Sequence, residues 1–69
     1  MKEKEREREV RSVKEIRESK GMSQAELGKL VGVKQSAISH YETGIRTPDF
    51  LLAKKIAEAL KVSVGEIYF

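Results

Sequence analysis

The chain has 69 residues, which suffices for one domain with one small core. Lys and Arg number 14 and Asp and Glu 11, so the net charge is +3. Because there is no Cys and only one His, disulfides, thiol nucleophiles and the usual metal sites are not expected. No apolar run approaches the roughly 18–20 residues of a membrane span, and the charged N-terminus is unlike a signal peptide. We therefore expect a small cytoplasmic domain that is not an enzyme and has no cofactor.

The charges near the N-terminus alternate in sign. Residues 2–9 read Lys-Glu-Lys-Glu-Arg-Glu-Arg-Glu, with four charges of each sign. On a helix this order places like charges at i and i+4, as in Glu5 and Glu9, and opposite charges at i and i+3 partly offset the repulsion. Equal numbers of acids and bases argue against a nucleic-acid-binding arm. We predict that residues 1–9 are a solvated, frayed extension of the first helix, and that residues 10–69 form the domain.

The apolar pattern along the chain favours helices only. No stretch alternates apolar and polar residues for long enough to predict a strand. Val10, Val13 and Ile16 recur at helical spacing, and Gly21 ends this first predicted helix. The expected fold class is therefore all-α.

The second predicted helix has a complete N-terminal signature. Ser23 and Glu26 have the spacing of a capping box, in which each side chain accepts a hydrogen bond from the other residue's backbone. Met22 and Leu27 flank it as a hydrophobic staple. This helix is predicted to end at Gly32.

Three further helices complete the prediction. The third spans about 35–43 and ends at Gly44, and Thr47-Pro48 is predicted to cap and begin the fourth. A second capping-box pattern, Ser63–Glu66, predicts a short fifth helix, with Val62 and Ile67 as its staple. The expected apolar face of the fourth helix comprises Phe50, Ala53, Ile56, Ala57 and Leu60.

Residues 24–43 are the most informative unit of the chain. Gly28 lies in the middle of a predicted helix, where glycine costs roughly 0.8–1 kcal/mol relative to alanine. A residue without a side chain at this position allows the following helix to cross very close to it. Gly32 supplies the permissive turn. We expect Val33, Ile38 and Tyr41 to lie on the inner face of the third helix.

The outer face of that third helix is polar and almost uncharged. It carries Gln35, Ser36, Ser39 and His40, whereas a merely solvated face usually carries Lys and Glu. Glutamine can form paired hydrogen bonds with adenine, and serine adapts to several bases in the major groove. The composition of this face therefore favours the reading of base edges in double-stranded DNA.

These residues occur in an order that resembles a known family, the phage repressor and Cro-type helix-turn-helix proteins, also called XRE-type. The resemblance covers residues 10–67 and implies a compact five-helix domain with the third helix as the recognition helix. It also implies binding as a homodimer to a two-fold symmetric operator. The matching segments are Gln24–Gly28, Val31–Val33, Gln35–Gly44, Arg46–Pro48, Ile56–Leu60 and Val62–Ser63.

The resemblance implies roles for individual DNA-facing residues. Gln35 and Ser36 match the main base-reading positions, and Ser39 and His40 lie one turn further on. Gln24 matches a residue that holds a phosphate and braces the recognition helix. Thr43 and Arg46 match a loop that touches the DNA backbone. For each of these residues, the alternative is an ordinary solvated surface position.

Two other features complete the comparison with the family. Lys34 stands where the family usually has a Ser or Thr cap; lysine cannot cap a helix, but it can reach a phosphate. Arg17 and Glu42 match a pair that the family joins as a partly buried salt bridge between the first and third helices. The alternative is two exposed charges worth about 0–1 kcal/mol.

The chain also has an apolar surplus that we expect to form a dimer interface. One short recognition helix contacts too few base pairs to single out a site, so a two-fold pair is expected. Ile45 is a further candidate for this interface. The alternative is that Tyr68 and Phe69 fold back onto the core of their own monomer. The predicted interface comprises Leu51, Leu52, Ile67, Tyr68 and Phe69.

The sequence leaves more than one functional class open. The first is a DNA-binding transcriptional regulator, either a phage-type repressor, a controller of a restriction system or an autoregulating antitoxin. The second is a helix-turn-helix protein-interaction module or antitoxin subunit whose main partner is another protein; a protein-binding version would carry acidic or apolar residues on the outer face of the third helix. An enzyme is the weakest option, because His40 lacks an orienting acid and an oxyanion hole. No ligand-sensing domain fits in this length.

Overall fold

The structure is a computed structural model that describes residues 10–69. The predicted N-terminal extension, residues 1–9, lies outside the described residues. Within residues 10–69, none of the helices combines the length and apolarity needed to cross a membrane. In chain order the elements are β1 (Arg11–Ser12), α1 (Val13–Ser19), α2 (Gln24–Val31), α3 (Gln35–Thr43), α4 (Phe50–Leu60), a 3₁₀ turn (Val64–Glu66) and β2 (Ile67–Tyr68).

The first four predicted helices are present, but the fifth is not an α-helix. Val64–Glu66 forms a single 3₁₀ turn of three residues. The predicted capping box at this point is wrong, since the Ser63 side chain accepts no capping hydrogen bond. Three residues cannot close the successive i to i+4 bonds of an α-helix, and the chain becomes extended again at Ile67.

The prediction of helices only is also wrong at the two ends of the domain. β1 and β2 pair in parallel, with Arg11 opposite Ile67 and Ser12 opposite Tyr68. Each strand has only two residues, which is too short for an alternating pattern to be visible in the sequence. The pairing joins the start of the described chain to its end.

The first helix begins later than Val10 because Ser12 caps it. The Ser12 hydroxyl accepts a hydrogen bond from the Glu15 amide at 3.1 Å, and the Ser12 amide donates to the Glu15 carboxylate at 3.2 Å. Ser12 is therefore at once the end of β1 and the N-cap of α1. Val10 lies before both elements and is exposed.

The N-termini of α2 and α4 test two further predictions. The capping box of α2 is confirmed, because the Glu26 amide donates to the Ser23 hydroxyl at 3.0 Å and the Ser23 amide donates to Glu26 Oε1 at 2.7 Å. The predicted start of α4 at Thr47-Pro48 is wrong. Asp49 is the N-cap, and its carboxylate accepts from the Leu52 amide at 2.8 Å.

One apolar core joins all four helices and the C-terminal segment. Phe50 was predicted on the buried face of α4, but it is exposed, so that face begins one turn later at Ala53. Met22, Val33 and Tyr41 are half-buried against the core. The core cluster comprises Val13, Ile16, Leu27, Val31, Ile38, Ile56, Ala57, Leu60 and Ile67.

Candidate nucleic-acid interface

A tight glycine turn joins α2 to α3. Gly32 has φ +83°, the left-handed region that favours glycine, and its amide donates to the Gly28 carbonyl at 2.8 Å. The Val33 amide donates to the same carbonyl at 2.9 Å. A Cβ atom on Gly28 would lie 2.6 Å from the Val33 carbonyl oxygen. The prediction that Gly28 permits a close approach is therefore confirmed, and the contact is with the backbone that leads into α3.

The first turn of α3 has no capping side chain. Lys34 occupies the N-cap position with extended backbone and forms no side-chain cap hydrogen bond. Lys34, Gln35 and Ser36 are all exposed. A cation and the positive end of a helix are therefore presented to solvent beside two polar side chains, an arrangement that suits a negatively charged partner.

The remaining predicted base-reading residues lie further along α3. Ser39 and His40 are half-buried, while Ile38 points into the core. The turn after the helix folds back on it, because the Arg46 amide donates to the His40 carbonyl at 3.2 Å. The Thr43 hydroxyl donates to the Ser39 carbonyl at 3.0 Å. Thr43 and Arg46 are both exposed at this end of the polar face.

A bidentate ion pair ties α3 to α1. Arg17 Nε donates to Glu42 Oε2 at 2.6 Å, and Arg17 Nη2 donates to Glu42 Oε1 at 3.1 Å. The third arm of the guanidinium donates to the Met22 carbonyl at 2.7 Å, in the loop before α2. The exposed fractions of the two side chains are 8% for Arg17 and 2% for Glu42. These are the two residues that the resemblance pairs between the first and third helices.

The environment of this pair keeps both groups charged. Burial raises the pKa of the Glu42 carboxyl, but the hydrogen bonds from Arg17 and Gln24 and the nearby positive charges outweigh it, so its pKa is below the ordinary value of 4.5. The hydrogen bond to Glu42 raises the pKa of Arg17 further, against the opposing effect of burial. At neutral pH the pair is therefore an ionised bridge between two helices.

Hydrogen bonds continue from this ion pair to the start of α3. Gln24 Nε2 donates to Glu42 Oε1 at 2.9 Å, and Gln35 Nε2 donates to Gln24 Oε1 at 3.2 Å. The sequence did not predict these two contacts. The resemblance implied only that Gln24 braces the recognition helix, and long-range side-chain partners leave no local pattern. The first residue of the polar face is thus connected through Gln24 and Glu42 to Arg17.

The residues predicted at the dimer interface do not all lie on the surface. Leu51 and Tyr68 are exposed by 71% and 55%. Leu52 and Phe69 are half-buried and pack against the core of their own chain. The alternative, that Tyr68 and Phe69 fold back onto this core, therefore holds for Phe69 but not for Tyr68. Ile67 is only 7% exposed and belongs to that core. It therefore leaves little side-chain surface for the predicted dimer contact.

Further exposed apolar surface comes from one predicted interface candidate and from one side chain that was predicted to be buried. Ile45, in the turn after α3, and Phe50, at the start of α4, are both exposed. Residues 10–69 contain no cluster of three or more side chains that could hold a metal ion. The described surface thus combines a polar face on α3 with apolar side chains at the start of α4.

Comparisons with known proteins agree with this geometry. The helix-turn-helix family called HTH_3 matches residues 13–67. The chain is 37% identical over 57 residues to a Bacillus subtilis protein named an uncharacterized HTH-type transcriptional regulator, YgzD, and this match covers 83% of the chain and 86% of that protein. Two Archaeoglobus fulgidus proteins with the same description, but without that gene name, are 36% and 38% identical over 56 residues. Those matches cover 81% of the chain and 80% and 79% of the two proteins.

Proposed function

Because the chain belongs to the XRE-type helix-turn-helix family of transcriptional regulators, we propose that it binds a specific sequence of double-stranded DNA with α3 in the major groove. The observation that carries the proposal is the first turn of α3. Gln35 and Ser36 are exposed there, beside the cation of Lys34. The bonds from Gln35 through Gln24 to the buried Glu42 hold this turn in place.

The side chains on the polar face of α3 contact the bases. Gln35 and Ser36 enter the groove first, and Ser39 and His40 reach bases one turn further on. The Gln35 amide donates one of its two N–H groups to Gln24, which leaves the other N–H and the carbonyl oxygen for a base. One remaining donor beside one acceptor is the pattern that an adenine edge requires.

The residues that flank this face contact the phosphates. Lys34 and Arg46 provide charge at its two ends. Gln24 retains one N–H after its bond to Glu42, and this N–H can reach a phosphate. The Thr43 hydroxyl already donates to the Ser39 carbonyl, so its proton must rotate away from that carbonyl before it can donate to a phosphate.

We propose further that the DNA-bound form is a homodimer on a two-fold symmetric site. A single short recognition helix contacts few base pairs, and two copies double the readout in successive major grooves about 34 Å apart. A symmetric dimer needs a self-complementary patch. Ile45, in the turn after α3, and Phe50 and Leu51, at the start of α4, supply exposed apolar side chains, and Tyr68 supplies an exposed aromatic ring.

Selection of bound duplexes from a random DNA library tests both parts of the proposal. The expected result is one enriched motif with two inverted half-sites about one helical turn apart. Enrichment of a single asymmetric half-site would contradict the dimer but not the DNA reading by α3. If no sequence were enriched over the starting library, sequence-specific binding would be refuted, and the protein-interaction module would be favoured instead.

A further inference from the structure

A groove lies between the α1–α2 loop and the outer face of α2. Its floor and walls combine apolar and charged side chains, and it is open to solvent. The residues that line it are Lys20, Gly21, Met22, Glu26, Lys29 and Leu30.

The apolar part of this groove includes an exposed leucine. Leu30 is 62% exposed although it lies on a helix, and Met22 is half-buried beside it, with its inner side against the core. Gly21 has no side chain, and a Cβ atom placed there would meet nothing within 4 Å. The groove therefore has room for a large apolar side chain against Leu30 and Met22.

The charge available in the groove is positive. Lys20 and Lys29 are exposed, and neither takes part in an ion pair within residues 10–69. The carboxylate of Glu26 is already engaged, since it accepts from the Ser23 amide at 2.7 Å at the positive end of α2. A partner that approaches this apolar surface thus meets two lysines without an ion-pair partner in residues 10–69 and one carboxylate that already accepts a backbone hydrogen bond.

The groove faces away from α3. Glu26 and Leu30 each lie two residues from Gly28, which corresponds to about 200° of rotation around α2. Gly28 is the position that contacts the backbone leading into α3. The side of α2 that carries Glu26 and Leu30 is therefore roughly opposite the side that contacts the backbone leading into α3.

From these observations we propose that the groove docks an acidic segment of a partner protein that also carries a large apolar side chain. The apolar side chain packs between Leu30 and Met22, and flanking Asp or Glu residues pair with Lys20 and Lys29. This contact does not depend on DNA binding by α3. It would give the chain a second partner on a surface separate from the polar face of α3.

The test uses a 12-residue random peptide library displayed on phage and selected against the full chain. The enriched peptides are then synthesised with a fluorescent label, and their binding is measured by anisotropy. We expect them to combine Asp or Glu with Leu, Phe or Trp and to shift the NMR amide signals of Lys20–Met22 and Glu26–Leu30. Recovery of neutral or basic peptides only, failure to enrich any peptide, or shifts confined to Ile45–Leu51 would overturn the proposal.

Two variants and a matched control make the test specific. Leu30→Ser should weaken peptide binding about tenfold or more, through lost apolar contact. Lys29→Glu should weaken it several-fold at low salt and much less at high salt. Lys55→Glu, an equivalent charge reversal at an exposed position of α4, should leave it unchanged. Equal effects of the two charge reversals would contradict a local site.

A DNA-binding measurement tests whether this groove is part of the nucleic-acid surface. Binding of a random-sequence duplex is compared for Lys29→Glu and Lys34→Glu. We expect Lys34→Glu to weaken it clearly more than Lys29→Glu does. If Lys29→Glu weakened duplex binding as much as Lys34→Glu, the groove would belong to the DNA surface and the proposed peptide site would be refuted.

Discussion

Replacing Glu42 by alanine should destabilise the domain severely. The substitution leaves the Arg17 guanidinium, whose side chain is 8% exposed, with only the Met22 carbonyl and the exposed Glu18 carboxylate, 3.8 Å away, as partners. Removing one member of a buried pair typically costs about 3–5 kcal/mol, because the other charge remains buried and uncompensated. Gln24 also loses its acceptor. The polar face of α3 should therefore lose its brace along with the stability of the fold.

The size of this loss is large for so small a chain. A domain of this length has a free energy of unfolding of roughly 3–10 kcal/mol. Each 1 kcal/mol lowers Tm by about 4–8 °C in a domain of 60–100 residues. A loss of 3 kcal/mol would thus lower Tm by at least about 12 °C. Glu42→Gln, which keeps the size and one carbonyl acceptor, should cost less than Glu42→Ala.

A double-mutant cycle in urea measures the coupling between the charge of Arg17 and the charge of Glu42. Arg17→Met, Glu42→Gln and the double variant are unfolded at pH 7, and the double variant should be clearly more stable than the sum of the single losses predicts. Glu18 offers the matched control, since it lies 3.8 Å from Arg17 but its side chain is 57% exposed. Glu18→Gln should cost less than about 1 kcal/mol. A coupling near zero between Arg17 and Glu42 would refute the reasoning.

Three further predictions follow from the geometry. Gly28→Ala places a Cβ atom 2.6 Å from the Val33 carbonyl oxygen. The overpacking should cost about 1–3 kcal/mol and exceed the gain of about 1 kcal/mol in helix propensity, so the free energy of unfolding should fall. A variant that is more stable than the wild type in urea would contradict this. Lys61 has φ +62°, the left-handed region that favours glycine. Lys61→Gly should therefore increase the free energy of unfolding by about 1 kcal/mol and raise Tm. An unchanged or lower Tm would contradict backbone strain at this position. Because the folded pKa of Glu42 lies below its ordinary value, its contribution to stability is fully present above about pH 4.5 and is lost as pH falls through the folded pKa. Urea midpoints at pH 6 and pH 3 should therefore differ more for the wild type than for Glu42→Gln, and equal differences would contradict the argument.

Local sequence patterns predicted the parts of the fold that local chemistry controls. Gly28 and Gly32 marked the close approach and the turn, because only glycine tolerates that contact and that φ. The capping box of Ser23 and Glu26 involves residues three apart, so its residue types and spacing are sufficient to find it. These features are encoded within one helix turn.

Contacts between distant residues were the parts that local patterns did not predict. The pairing of Arg11 with Ile67 joins the two ends of the domain through two-residue strands, and no period can be seen in two residues. The start of α4 was misplaced because Thr47 and Asp49 are both capping residue types, and Pro48 between them favoured the earlier start. The choice depends on how the loop meets the core, where Pro48 is buried.

The apolar residues near the C-terminus show the same limit for the candidate interface. Ile67 and Leu51 are similar in hydrophobicity, yet Ile67 is buried and Leu51 is exposed. A count of apolar residues indicates a surplus, but only the three-dimensional packing tells which side chains remain uncovered. Phe50 was predicted inside and is exposed, so it joins Ile45 and Leu51 on the surface.

The most direct test of DNA reading by α3 is the affinity of Gln35→Ala for the duplex selected from the random library and for a scrambled duplex, each measured over a range of salt concentrations. We predict a loss of roughly 1–3 kcal/mol on the selected duplex, almost no loss on the scrambled one, and relaxed preference at one base pair in each half-site. Lys34→Ala and Arg46→Ala should instead weaken binding to both duplexes and lower the salt slope by about one unit each. An equal loss on both duplexes for Gln35→Ala would show that this residue reads no base and would contradict the proposed role of α3.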